Sequence, residues 1–125
     1  MLGYATVGSN DLERAKAFYD ALFAAVGIST LFDHGSGGRV YGAPGGPMFG
    51  VVGPFDGKPA SVGNGSMFGF ALPSHELIDL FHQKALELGG TDEGAPGQRG
   101  PEGAGAYMAY VRDLDGNKIC AFKLN

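Results

Sequence analysis

The chain has no tryptophan, one cysteine and three histidines. With Cys120 alone there is no internal disulfide, so apolar burial must hold the fold, and a cytoplasmic location is the expectation. No apolar run approaches the roughly 18 residues of a membrane span, so no membrane partner is expected. The first residues, Met-Leu-Gly-Tyr-Ala-Thr-Val-Gly, lack a basic region and a cleavage site, and no secretory leader is expected. Basic residues are few: 9 Lys and Arg against 13 Asp and Glu, a net charge of −4. They form no cluster, which argues against nucleic acid as a partner.

Glycine, by contrast, is abundant. Its 23 residues stand well above the average of roughly 7%. They crowd into 35–65 and 89–105, between periodic segments, and so mark tight turns and close backbone approaches. Hydrophobic residues make up 44% of the 125 and charged residues 18%. This is the composition and length of one folded unit with a real core.

A repeat lies beneath the glycines. Residues 4–27 read as strand, turn and helix. Tyr4–Gly8 is β-prone, and Ser9-Asn10-Asp11 offers cap oxygens, with Glu13 at capping-box spacing from Asn10. Leu12, Ala15, Tyr19, Leu22 and Val26 form a helical stripe that Phe18 and Phe23 broaden, and Gly27 ends it. Residues 67–90 repeat the plan: strand Met67–Ala71, start Pro73-Ser74, stripe Leu77, Ile78, Phe81, Ala85, Leu88, stop Gly89-Gly90. An offset of 63 residues sets Phe18 on Phe81, Glu13 on Glu76 and Gly27 on Gly90. Strand-like runs follow each helix: about 29–33, 39–42 and 48–52, then a weak one near 91–93, then 106–112 and 118–124. Each half is therefore β-α-β-β-β.

The last two runs flank Val111-Arg-Asp-Leu-Asp-Gly-Asn-Lys-Ile-Cys120. Asp115-Gly116 or Gly116-Asn117 supplies the positive φ that a short hairpin needs, and Asp113 and Asp115 are turn-forming residues. This hairpin, the run Asn10-Asp11-Leu12-Glu13-Arg14-Ala15 with Phe18-Tyr19, and the doubled βαβββ plan resemble the vicinal-oxygen-chelate superfamily, which holds glyoxalase I, the bleomycin-resistance proteins and the extradiol dioxygenases. The resemblance implies an α+β fold: two tandem βαβββ modules whose curved mixed sheets surround a cleft, with helices outside. One domain would fill 1–125, with modules of about 1–55 and 66–125 and a breaker-rich connector of about 53–66.

Strand alternation then sorts the side chains. Ala5, Val7, Phe68, Phe70, Ile119 and Ala121 are expected toward the helices. Tyr4, Thr6, Met67, Gly69, Lys118, Cys120 and Phe122 are expected toward the cleft. The family's metalloenzymes carry His or Glu ligands at positions that correspond to Tyr4, Met67 and Cys120, and some carry another at Phe49, or at Gly50 one position on. None of these is a histidine or carboxylate, the donors that a divalent metal handling oxygen substrates takes. No metal and no cofactor are expected. His34, in a glycine-rich loop, reads as solvated. His75 and His82 lie off the helical stripe and read as surface residues, with Asp79 near His82. Cys120 lacks a neighbouring base and reads as an inert thiol.

The reading that results is a small-molecule-binding protein of bleomycin-resistance type without the usual metal ligands, with no catalytic residue assigned. Its cleft would be lined by Tyr4, Thr6, Phe49, Met67, Tyr110, Cys120 and Phe122, with Tyr41 or Tyr107 as further candidates. The net charge slightly favours a cationic or neutral ligand. The alternative is a glyoxalase-like lyase or isomerase, or a dioxygenase, with an atypical or relocated site. The family's habit implies a homodimer.

Overall fold

The structure, a computed structural model, describes residues 1–101 and 103–125. Strand β1 (Tyr4–Gly8) leads into helix α1 (Leu12–Val26), then β2 (Ser29–Asp33), β3 (Arg39–Gly42) and β4 (Met48–Val52). After the connector come β5 (Phe68–Ala71), α2 (His75–Glu87), β6 (Thr91–Arg99), β7 (Ala106–Arg112) and β8 (Lys118–Leu124). The two halves form four-stranded sheets of the same topology, β1-β4-β3-β2 and β5-β8-β7-β6. In each, the first strand pairs parallel with the last and the remaining pairs are antiparallel. Among the described residues no helix is long and apolar enough to cross a membrane.

Local chemistry sets the ends of the helices. Asp11 is the N-cap of α1, its carboxylate accepting the Arg14 N–H, while Ser9 Oγ accepts the Asp11 N–H. The expected capping box is absent. Asn10 is diverted elsewhere and Glu13 pairs with Lys16 at 2.8 Å. Gly27 closes α1 in the left-handed region at φ 84°. Ser74 caps α2 by accepting the Leu77 N–H. The left-handed residue after α2 is Gly89, at φ 100°, rather than Gly90, so the repeat slips by one here. Strand β6 runs to nine residues where a short one was expected, because bulges let its glycines follow β7.

One core serves both halves. Tyr19 and Phe23 of α1 pack on Phe49 of β4, and Phe81 of α2 packs on Phe70 of β5. The halves meet where Phe70 touches both Phe49 and Phe23, with ring centroids 5.1 Å apart in each case. The helices also pack against each other. Burying these large rings against one another removes apolar surface of both halves from water.

The closing hairpin docks on the first module. Asp113 is buried and accepts hydrogen bonds from Tyr19 O–H (2.6 Å), Asn117 Nδ2 (3.0 Å) and the backbone N–H groups of Asp115 and Asn117. Asn117 Nδ2 also donates to Gly8 O, and Arg14 donates to Leu114 O. Only Gly116, at φ 92°, takes positive φ in this turn. His82 departs from its expected surface position: it is 9% exposed, and its Nε2 lies 2.9 Å from Asp92 Oδ1. Asp79 instead accepts the Tyr107 O–H. His75 is exposed and stacks on Tyr107 at 4.0 Å.

Candidate functional site

Because both helices share one core, the other face of each sheet points away from it. On the first sheet the register pairs Thr6 with Gly50 and Gly50 with Val40. A Cβ placed on Gly50 would lie 3.4 Å from Thr6 Cγ2, from the Tyr4 hydroxyl and from Val40 Cγ2, so these four share that outer face. On the second sheet a Cβ on Gly69 would lie 3.1 Å from Cys120 Sγ and from the Phe122 ring. Register adds Tyr110 beside Cys120 and Met108 beside Phe122.

A groove of about 1290 Å³ opens on the first of these faces. Tyr4, Thr6 and Gly8 form its floor, the turn His34–Ser36 one wall, and the connector segment 53–61 the other. Asn10 holds the connector in place: its Oδ1 accepts the Ala60 N–H (2.7 Å) and its Nδ2 donates to Ala60 O (3.1 Å). Its own N–H goes to Asp115 Oδ1, so one residue ties connector, helix start and closing hairpin together. Gly8 permits this approach, since a Cβ there would sit 2.9 Å from the Ala60 Cβ.

The opposite wall is also ordered by side chains. The Ser36 N–H donates to His34 Nδ1 (3.1 Å), and Ser36 Oγ lies 2.9 Å from the same nitrogen. Ser36 Oγ accepts the Gly53 N–H at 2.9 Å. With Nδ1 used as an acceptor, the ring proton belongs on Nε2. His34 is half-buried in this wall of the open groove.

Of the expected cleft residues, Tyr4 and Thr6 line the groove. Phe49 does not: its ring packs on Tyr19 and Phe23, on the helix side. Residue parity explains the correction, since Gly50 holds the outward position on β4. Tyr41 and Tyr107 also face the helices, Tyr41 donating to Asp20 and Tyr107 to Asp79. Tyr110, Cys120 and Phe122 stand on strands of the second sheet, Met67 immediately precedes β5, and none of the four lines the groove. Met67 is 41% exposed, whereas Cys120 is only 1% exposed. Burial pushes the Cys120 thiol up to about 11, partly offset by Lys118.

The groove walls were not legible as a site. Asn10 read as a cap residue and His34 as a solvated loop residue, and the walls are tied together by contacts 17 to 50 residues apart in sequence. The glycine-rich composition of 35–65 was the one available signal, and it marks turns of any purpose.

Tyr4, Met67 and Cys120, the positions that the resemblance implied for metal ligands, carry a phenol, a thioether and a buried thiol. That donor set does not fit a divalent metal that polarises oxygen. Among the described residues no three His, Cys, Asp or Glu side chains converge as a metal group.

Doubled βαβββ sheets with helices on one side and an open face on the other define a fold found widely among solved structures. The chain is 44% identical to a glyoxalase/bleomycin resistance protein from Albidiferax ferrireducens T118, with 98% of each chain covered and a TM-score of 0.90. It therefore belongs to the glyoxalase/bleomycin resistance protein/dioxygenase superfamily. More distant likeness, in fold alone, extends to a family enzyme from Burkholderia phytofirmans PsJN (16% identity, 98% of each chain, TM-score 0.73). It extends also to a lactoylglutathione lyase from Agrobacterium tumefaciens (20% identity, 98% of this chain and 92% of that one, TM-score 0.68). No protein-family model and no curated protein sequence matches the chain.

Proposed function

We propose that this protein binds a small molecule in the groove over β1 and works without a bound metal, in the manner of a bleomycin-resistance protein. The carrying observation is the groove itself, about 1290 Å³ and walled on one side by a connector that Asn10 pins in place. A volume of this order suits a small organic ligand. The walls are more polar than a purely aromatic cleft would be: Tyr4, Thr6, Asn10, His34 and Ser36 present hydroxyl, amide and imidazole groups. The ligand is therefore one with several hydrogen-bonding groups. The phenol, thioether and buried thiol at the family's ligand positions support metal-independent action.

The test is a thermal-shift screen of small molecules on the native chain and on Thr6→Trp, whose indole fills the groove. Compounds that raise the melting temperature of the native chain should leave Thr6→Trp unmoved. Equal stabilisation of both proteins would place the ligand elsewhere. Elemental analysis of protein made without a histidine tag should find well under one equivalent of Ni, Zn, Fe or Mn. One full equivalent would overturn the metal-independent reading.

A further inference from the structure

The outer face of the second sheet differs in charge from its counterpart. Matching the registers of the two sheets sets Lys118 on Met48, Cys120 on Gly50 and Tyr110 on Val40. The first sheet is uncharged at these points. The second carries Lys118, Arg112 and Arg99 around Tyr110. Lys118 Nζ lies 5.3 Å and Arg99 Cζ 5.6 Å from the centre of the Tyr110 ring. Arg112 is paired with Glu93. Lys118 and Arg99 form no ion pair among the described residues, although acidic side chains outnumber basic ones in the chain.

Arg99 is also held in position. Its Nη2 donates to Ala95 O at 2.7 Å and its Nη1 to Gln98 O at 3.5 Å, and its guanidinium lies along β6, where two glycines make room. A Cβ on Gly97 would lie 3.1 Å from Nη1. One on Gly94 would lie 3.3 Å from Nη2 and 3.0 Å from Tyr110 Cδ2. A cation fixed in this way loses little further freedom when it takes up a partner. The Tyr110 hydroxyl donates only to Met108 Sδ, a weak acceptor, and its oxygen lone pairs have no described donor.

We propose that Arg99 and Lys118, beside Tyr110, form a subsite for the oxyanion of a small organic acid, a carboxylate or a phosphate. Beyond its bonds to Ala95 O and Gln98 O the guanidinium has further N–H groups to offer, and the ammonium adds a point charge, a combination that suits either group. Local charge here opposes the net charge of the molecule, so the ligand preference read from net charge does not extend to this face. The subsite stands apart from the groove of the first sheet and does not depend on it.

The test is calorimetric titration with benzoate, phenyl phosphate and the uncharged benzyl alcohol at constant ionic strength. It uses the native chain, Arg99→Gln, Lys118→Met and Thr6→Trp, each first shown to melt within a few degrees of the native protein. Saturable binding of benzoate or phenyl phosphate is expected, and the tighter of the two identifies the oxyanion. Arg99→Gln and Lys118→Met should each weaken it about tenfold or more, and Thr6→Trp should leave it unchanged. Benzyl alcohol should bind at least about tenfold more weakly than the better anion. The inference falls if neither anion saturates, if both charge variants bind as the native chain does, or if Thr6→Trp abolishes binding. That last result would move the anion into the groove and leave the proposed function standing.

Discussion

Cys120 shows how one residue can look functional in sequence and be silent in structure. The family resemblance marked its position as one for a metal ligand, yet Gly69, Tyr110 and Phe122 surround it and its exposure is 1%. A thiol pushed up to about 11 is almost wholly protonated at pH 8, and the thiolate is the reactive form. Native protein at pH 8 should react with a chromogenic disulfide at least about a hundredfold more slowly than unfolded protein. Comparable rates in stopped-flow mixing would contradict this enclosure. The strand face of Cys120 was legible from alternation. Its burial was not, because the covering residues come from neighbouring strands. Phe49 shows the opposite failure. A shift of one in strand register exchanges the two faces of a sheet, and the sequence around Gly50 left that register open.

At the scale of elements, periodicity located both helices and most strands, since amphipathic stripes and β-branched runs are local signals. What it missed depends on partners from elsewhere. His82 lay off the stripe of α2 and read as solvated. In the fold β6 runs past it, and Asp92 meets its imidazole at 2.9 Å. The hydrogen bond from His82, followed by the Gly94 N–H, holds the Asp92 carboxyl below its ordinary value of 3.8. Because the folded value is depressed, the stabilising contribution is present above that ordinary value and is lost as pH falls through the folded one. Urea unfolding of the native chain should therefore show a loss of stability between about pH 5 and pH 3 that is smaller in Asp92→Asn. Parallel curves for the two proteins would mean that the pair does not link α2 to β6 energetically. The extra length of β6 has a similar origin. Glycine-rich stretches carry no periodicity, and only pairing with β7 reveals them as strand.

For the whole molecule, the 63-residue offset between the halves was readable and proved structural, since the two sheets share one strand order. How the halves join was not readable, because no local pattern says that Phe49, Phe23 and Phe70 meet. Because that contact joins the two cores, the halves are expected to unfold as one cooperative unit. Removing a buried aromatic ring costs about 3–5 kcal/mol. Phe49→Ala should lower stability by that order while the protein still unfolds in a single calorimetric transition whose van't Hoff and calorimetric enthalpies agree. Two resolved transitions, in the native chain or the variant, would show that the modules melt separately.

The outermost strands carry one more consequence. Strands β2 and β6 each have an unpaired side, which on a flat sheet would invite strands from other molecules. Both are kinked, β2 between Thr30 and Phe32 and β6 at two points between Asp92 and Gly97. Acidic side chains stand on both, at Asp33, Asp92 and Glu93, and Pro96 removes a donor from β6. Neither strand offers a straight ladder to a stranger. The irregularities that hid β6 in the sequence are thus of the kind that blunts edge-to-edge pairing between copies of a chain.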